Sequence, residues 1–192
     1  MSVTLTRDEI IAALADVVRA LTSAGQPATI QLLGGAAIAL TIDGDRPPTK
    51  DIDAALTPPG VLRAAAATVG RAKGWPENWL DEEATIFLPN QFGRGPEWVT
   101  LHDEGRILIQ VASPRMLLAM KLIAFIKRPR RDADDVAILL AANGIASAAE
   151  AEMVMAEFYP GDELPPVAYE RLEAVVAQGL RDVSPPPPPR FP

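Results

Sequence analysis

Two glycines, Gly34 and Gly35, stand fifteen to twenty residues before a pair of carboxylates, Asp51 and Asp53. Glycines let backbone approach a phosphate closely, and just before a helix they expose amide N–H groups at its positive end. Carboxylates two residues apart on a strand point the same way, so Asp51 and Asp53 would converge while Ile52 anchors the other face. The flanking Ile52, Ala54, Ala55 and Leu56 are apolar. That predicts a central strand, where two carboxylates are costly unless paired or metal-bound. Mg2+ is the natural occupant, because it takes one or two protein carboxylates and fills its octahedron with water and phosphate oxygens. The glycines lie in neither G-x-x-x-x-G-K nor G-x-G-x-x-G, which disfavours a P-loop enzyme and a dinucleotide-binding turn.

A second group lies further along the chain. Lys121 is the one charged residue in Met116–Ile126. A lysine in an apolar helix wants an anion: it could neutralise a triphosphate in a dry site, or snorkel to a helix edge. Asp132 and Asp135 follow, three residues apart on one helical face, so either could pair with Lys121 or orient an acceptor hydroxyl. The segment Lys127-Arg128-Pro129-Arg130-Arg131 could hold phosphates or simply form a solvated helix end.

The elements that must position these groups follow from pattern. Thr6 to Glu9 reads as a capping box, and Ile10, Ile11, Leu14, Val17, Val18 and Leu21 recur at helical spacing, giving a helix that ends near Gly25. Residues 28–33 are β-prone, the glycines turn the chain, and residues 36–42 read as a helix. A loop with two prolines leads to a strand over 51–56. A helix from the Pro58-Pro59 pair to about residue 72 follows, then a turn at 75–80 entering a short helical segment, and strands over 86–88, 97–101 and 106–112. Ser113-Pro114 starts a helix through Lys127, with further helices over 131–142 and beyond. The order predicts an α+β fold, a small mixed β-sheet flanked by helices with a C-terminal helical extension. The expected division is a core over residues 1–113, a helical region over 114–183 that completes the site, and a proline-rich tail over 184–192, read as solvated.

Composition narrows the chemistry. The chain of 192 residues has no cysteine and one histidine, His102, so a metal here must be held by oxygen. Net charge is −7, yet residues 1–146 carry 15 basic against 17 acidic side chains, and residues 147–192 carry 3 against 8. The first part is thus nearly neutral, and the acidic excess sits at the end. No signal sequence or membrane span is legible, so a cytoplasmic protein is expected.

Together Gly34-Gly35, Thr49-Lys50-Asp51-Ile52-Asp53, the 114–124 segment with Lys121, and Arg131-Asp132 to Asp135 resemble the nucleotidyltransferase fold of the polymerase-beta type. More narrowly, residues 30–140 resemble the AbiEii/MenT-like nucleotidyltransferase toxins. The resemblance implies magnesium on Asp51 and Asp53, and a nucleoside triphosphate held by the glycine turn, Thr49, Lys50, Lys121 and Arg131. It also implies completion of the site by Asp132 and Asp135, a tRNA or other RNA acceptor, and an antitoxin partner. Enzymes of this fold often add a third carboxylate from a neighbouring strand, where this chain has Gln110; Asp103 and Glu104 are the acids that could substitute. Gln110 keeps open a non-catalytic homologue that acts by protein binding, and the acidic end would suit an aminoglycoside-type nucleotidyltransferase.

Overall fold

Burial alternates along the strands, and that alternation decides which face of the sheet can carry polar chemistry. The computed structural model describes residues 4–89, 92–179, 181–183 and 185–192. Met1 to Val3 and Ser184, where the expected tail begins, lie outside the described residues. The chain divides into two compact units, one of Met1–Thr85, Trp98–Ala112 and Pro186–Pro192, the other of Ile86–Glu97 and Ser113–Pro185.

In the first unit, β1 (Ala28–Leu32), β2 (Ile52–Thr57), β3 (Leu80–Asp81), β4 (Trp98–Glu104) and β5 (Ile107–Ala112) form one mixed sheet in the order β3-β2-β1-β5-β4. β1 runs antiparallel to β2 and parallel to β5. Ile30, Leu32, Ile52, Ala54, Ile109 and Val111 are buried on one face, and α1 (Arg7–Ser23), α2 (Gly34–Thr41) and α3 (Pro59–Lys73) supply the packing. Thr29, Gln31, Asp53, Ala55 and Gln110 occupy the alternate, half-buried positions and so share the other face. The capping box forms: Thr6 N donates to Glu9 Oε2 at 2.8 Å, and Glu9 N donates to Thr6 Oγ1 at 3.4 Å.

Residues 75–80 do not enter a helix. Trp79 is fully buried instead, its Nε1 donating to Ala66 O at 2.9 Å, and Ile52 N donates to Trp79 O at 2.7 Å. Gly70 makes this possible, since a Cβ there would lie 2.9 Å from the indole. The anchored indole lays β3 beside β2, with Asp81 opposite Asp53. The expected strand over 86–88 is a 3-10 helix, Glu83–Phe87, with Ile86 80% exposed. An apolar run becomes a strand only where a neighbour supplies ladder bonds, and none does so here. The proline segment, expected to be solvated, is exposed at Pro185, Pro187 and Pro188 but is held at a few points. Arg7 Nη2 donates to Pro187 O at 2.6 Å, Pro189 is buried, and Phe191 meets the buried His102 ring edge-on at 5.8 Å. A run of prolines offers carbonyl acceptors and no backbone N–H donors, so its carbonyls are available to a guanidinium.

The second unit centres on α4 (Pro114–Lys127), buried over Met116–Met120, Leu122, Ala124 and Phe125. α5 (Pro129–Ala142) and α6 (Ala148–Phe158) pack on it, and α7 (Pro166–Ala177) packs on α5 and α6. Asn143 Nδ2 donates to Pro114 O at 3.0 Å and Leu139 O at 2.7 Å, fixing the start of α4 to the end of α5. Arg94 and Arg115 meet at Glu157, whose carboxylate accepts from Arg115 Nε at 2.8 Å and Arg94 Nη1 at 3.0 Å. The Arg115 guanidinium, with Arg94 behind it, holds the Glu157 carboxyl down to about 2. Among the described residues no helix is long and apolar enough to cross a membrane.

Two outcomes follow from these anchors. Trp79→Ala is expected to lower unfolding free energy by about 4 kcal/mol in a urea titration, because the cavity adds to the lost transfer energy. The lowered folded-state value of Glu157 means its contribution is complete above the unfolded carboxyl value and is lost as pH falls toward the folded one. The urea midpoints of wild type and Glu157→Gln should therefore differ at about pH 7 and converge as pH drops through about 4 toward about 2.

Candidate active site

Expected site residues assemble within each unit. In the first, Leu33 N-caps α2 without a side-chain bond, and Leu33 N donates to Asp53 O at 2.8 Å. This backbone bond sets Asp53 beside the glycine turn. Gly34 has φ +56°, and a Cβ on it would lie 2.6 Å from Asp53 Oδ2. Both the left-handed backbone and the carboxylate seat therefore require glycine. A Cβ on Gly35 would lie 2.6 Å from Arg46 Nη2 and 2.8 Å from Arg46 Cζ, so a guanidinium covers the second glycine.

Asp51 lies half-buried one residue before β2. Thr49 is held through its backbone: Leu5 N donates to Thr49 O at 2.6 Å, and Thr49 N to Leu5 O at 3.0 Å. Lys50 is exposed beside it. Two residues escaped the sequence reading. Arg46 is the one arginine between the glycines and Asp51, which was its available signal. Asp81 gave none, because only the docking of Trp79 makes its strand. Burial pushes the Asp81 carboxyl up, the charge of Asp51 adds to this, and a hydrogen bond from Glu83 N opposes it.

Among the described residues no group of three or more acidic, histidine or cysteine side chains is placed to hold a metal ion. The candidate ligands are therefore the pair Asp51 and Asp53. A pair suits Mg2+, which draws its remaining ligands from water and phosphate, and Gly34 leaves open the space at Asp53 Oδ2 that a Cβ would fill. Gln110 lies on the same sheet face with both amide atoms engaged: Oε1 accepts from Gln31 Nε2 at 2.9 Å, and Nε2 donates to Thr100 Oγ1 at 3.5 Å. Asp103 and Glu104 cannot substitute for an acid there. They lie opposite Leu108 and Ile107, and Ile107 is level with Ala28, at the end of β1 away from the glycines.

In the second unit Lys121 has found its anions. Its Nζ lies 2.8 Å from Asp132 Oδ1 and 2.8 Å from Asp135 Oδ2, with the three side chains 15%, 1% and 7% exposed. Arg128 Nε approaches Asp132 Oδ2 at 3.4 Å. The cluster joins α4 to the first turns of α5, where carboxylates also favour the helix dipole. Lys127, Arg130 and Arg131 are exposed at this junction. Removing the lysine would strand two buried carboxylates, so Lys121→Met is expected to cost about 3 kcal/mol by denaturant unfolding. A lysine acting only on a bound phosphate would leave unfolding unchanged.

Residues 80–185 match the family described as nucleotidyl transferase AbiEii toxin, type IV toxin–antitoxin system. The matched residues include Gln110, Lys121, Asp132 and Asp135, while the glycine turn, Asp51 and Asp53 precede them. Comparisons with curated proteins and with solved structures gave no match. The match spans more than half of the chain, which therefore belongs to the AbiEii nucleotidyltransferase toxin family of type IV toxin–antitoxin systems.

Proposed function

We propose that this nucleotidyltransferase moves a nucleoside monophosphate from a nucleoside triphosphate to a hydroxyl on RNA, with the acceptor end of tRNA favoured. The seating of Asp53 over Gly34, next to the amides that open α2, carries this reading. It sets a candidate metal ligand beside a candidate phosphate cradle on one rigid turn.

Asp51 and Asp53 would hold Mg2+, which when bound offsets charge on the phosphates and on the departing pyrophosphate. The chain's own residues do the positioning. The first-turn amides of α2 grip phosphate oxygens, and the Leu33 to Asp53 backbone bond keeps the carboxylate in register with them. Thr49 and Lys50 lead into Asp51 from a backbone pairing with Leu5, which fixes the approach to the site. The acceptor oxygen bonds to the α-phosphorus as the bond to pyrophosphate breaks, so catalysis is mainly orientation and charge placement. Because both Gln110 amide atoms are already hydrogen-bonded, the reading needs one ion rather than two. The exposed Lys127, Arg130 and Arg131 favour a polyanionic acceptor.

Incubation with each labelled nucleoside triphosphate, Mg2+ and total tRNA tests the reading. Label should enter tRNA with the wild-type protein, and Asp51→Ala should reduce transfer by roughly a hundredfold or more. Equal labelling by the two proteins would remove Asp51 from the site, and label on protein instead of tRNA would overturn the acceptor.

A further inference from the structure

We propose that Arg46 binds the triphosphate directly, as the cation that completes the glycine turn; this rests on the nucleotide site proposed above. Successive glycines carry opposite charges, the Asp53 carboxylate against Gly34 and the Arg46 guanidinium against Gly35. The three nearest atoms to a Cβ on Gly35 are Nη2, Cζ and Nη1 of Arg46, at 2.6, 2.8 and 2.9 Å. All three belong to the guanidinium, so the charged group itself, rather than the aliphatic stem, lies against Gly35. A guanidinium beside the first turn of a helix can donate to the same anion as the amides of that turn.

The loop before β2 fixes this placement. Asp43 Oδ1 accepts from Asp45 N at 3.1 Å, Arg46 N donates to Asp43 O at 3.3 Å, and Pro47-Pro48 follows without freedom in φ. Arg46 Nη1 also donates to Pro47 O at 3.0 Å, so the side chain folds back over its own turn.

Charge gives the reason for a cation at this point. The carboxylates of Asp51 and Asp53 and a divalent ion sum to zero, whereas a triphosphate brings about four negative charges. Within the first unit, Arg46 is the cation seen lying on the glycine turn. Arginine suits the task because its N–H groups pair with two phosphate oxygens at once.

The pairing of Gly35 with Arg46 supplies a test that a general loss of folding would not imitate. Gly35→Ala pushes aside only the end of a flexible side chain, so it should displace the guanidinium while leaving the fold intact. Calorimetric titration with a non-hydrolysable nucleoside triphosphate and Mg2+, on the full chain, reads the effect. Arg46→Ala should weaken binding roughly thirtyfold, Arg46→Lys by less, and Gly35→Ala by about as much as Arg46→Ala. The Gly35→Ala/Arg46→Ala double variant should be no weaker than Arg46→Ala, because both changes remove one interaction. Mn2+ binding without nucleotide should be unaltered in Arg46→Ala, which separates phosphate contact from support of Asp53. Binding within twofold of wild type in Arg46→Ala, additive losses in the double variant, or lost Mn2+ binding would each overturn the role of Arg46. Failure of the wild-type protein to bind any triphosphate would instead overturn the nucleotide site itself.

Discussion

The backbone bond from Leu33 N to Asp53 O fixes the geometry on which the chemistry proposed for the first unit depends. It joins the end of β1 to the start of β2 where the chain enters α2, so the helix terminus and the carboxylate cannot drift apart. Gly34 then works in two ways, turning the backbone through a left-handed conformation and leaving room for Asp53 Oδ2. Gly35 does for the Arg46 guanidinium what Gly34 does for the carboxylate. The phosphate site proposed for this turn would draw on amides, an acid and a cation close together, and two residues without side chains leave room for all three.

The remainder of the sheet keeps that turn rigid. Alternate residues of β1, β2 and β5 bury one face against helices and leave the other half-buried and polar. On that face Gln31 Nε2 donates to Gln110 Oε1, at the place where enzymes of this fold often carry an acid. An amide pair of this kind adds polarity without charge, so it does not compete with Asp51 and Asp53 for an ion. In the second unit Lys121, Asp132 and Asp135 form a compensated triad under low exposure. Their charges hold α4 to α5, and Lys121 would have to give up a carboxylate before it could serve a phosphate.

Much of this was legible in the residues. The capping box at Thr6, the Ser113-Pro114 start of α4, the glycine turn and the pairing of Lys121 with later aspartates all rest on contacts close in sequence or on charge that demands a partner. The family match over residues 80–185 also bears out the resemblance to the AbiEii family. What escaped was made by tertiary contact. β3 is two residues long and exists because Trp79 is buried beneath Gly70. The run at Ile86 looked like a strand but pairs with no strand among the described residues. The proline segment reads as solvated until Arg7 and His102 are seen to receive it. Arg46 carries no motif, and its position over Gly35 becomes visible only when the glycine is asked what a side chain there would strike.

Gly34 is the residue on which the proposed site turns most directly. Calorimetric titration of Mg2+ with a non-hydrolysable nucleoside triphosphate into wild type and Gly34→Ala measures whether that turn seats both ion and phosphate. Wild type should bind only with the metal present, and Gly34→Ala should lose that binding, because its methyl group takes the space of Asp53 Oδ2. Metal-dependent binding of equal strength in the two proteins would contradict the placement of the site at the glycine turn.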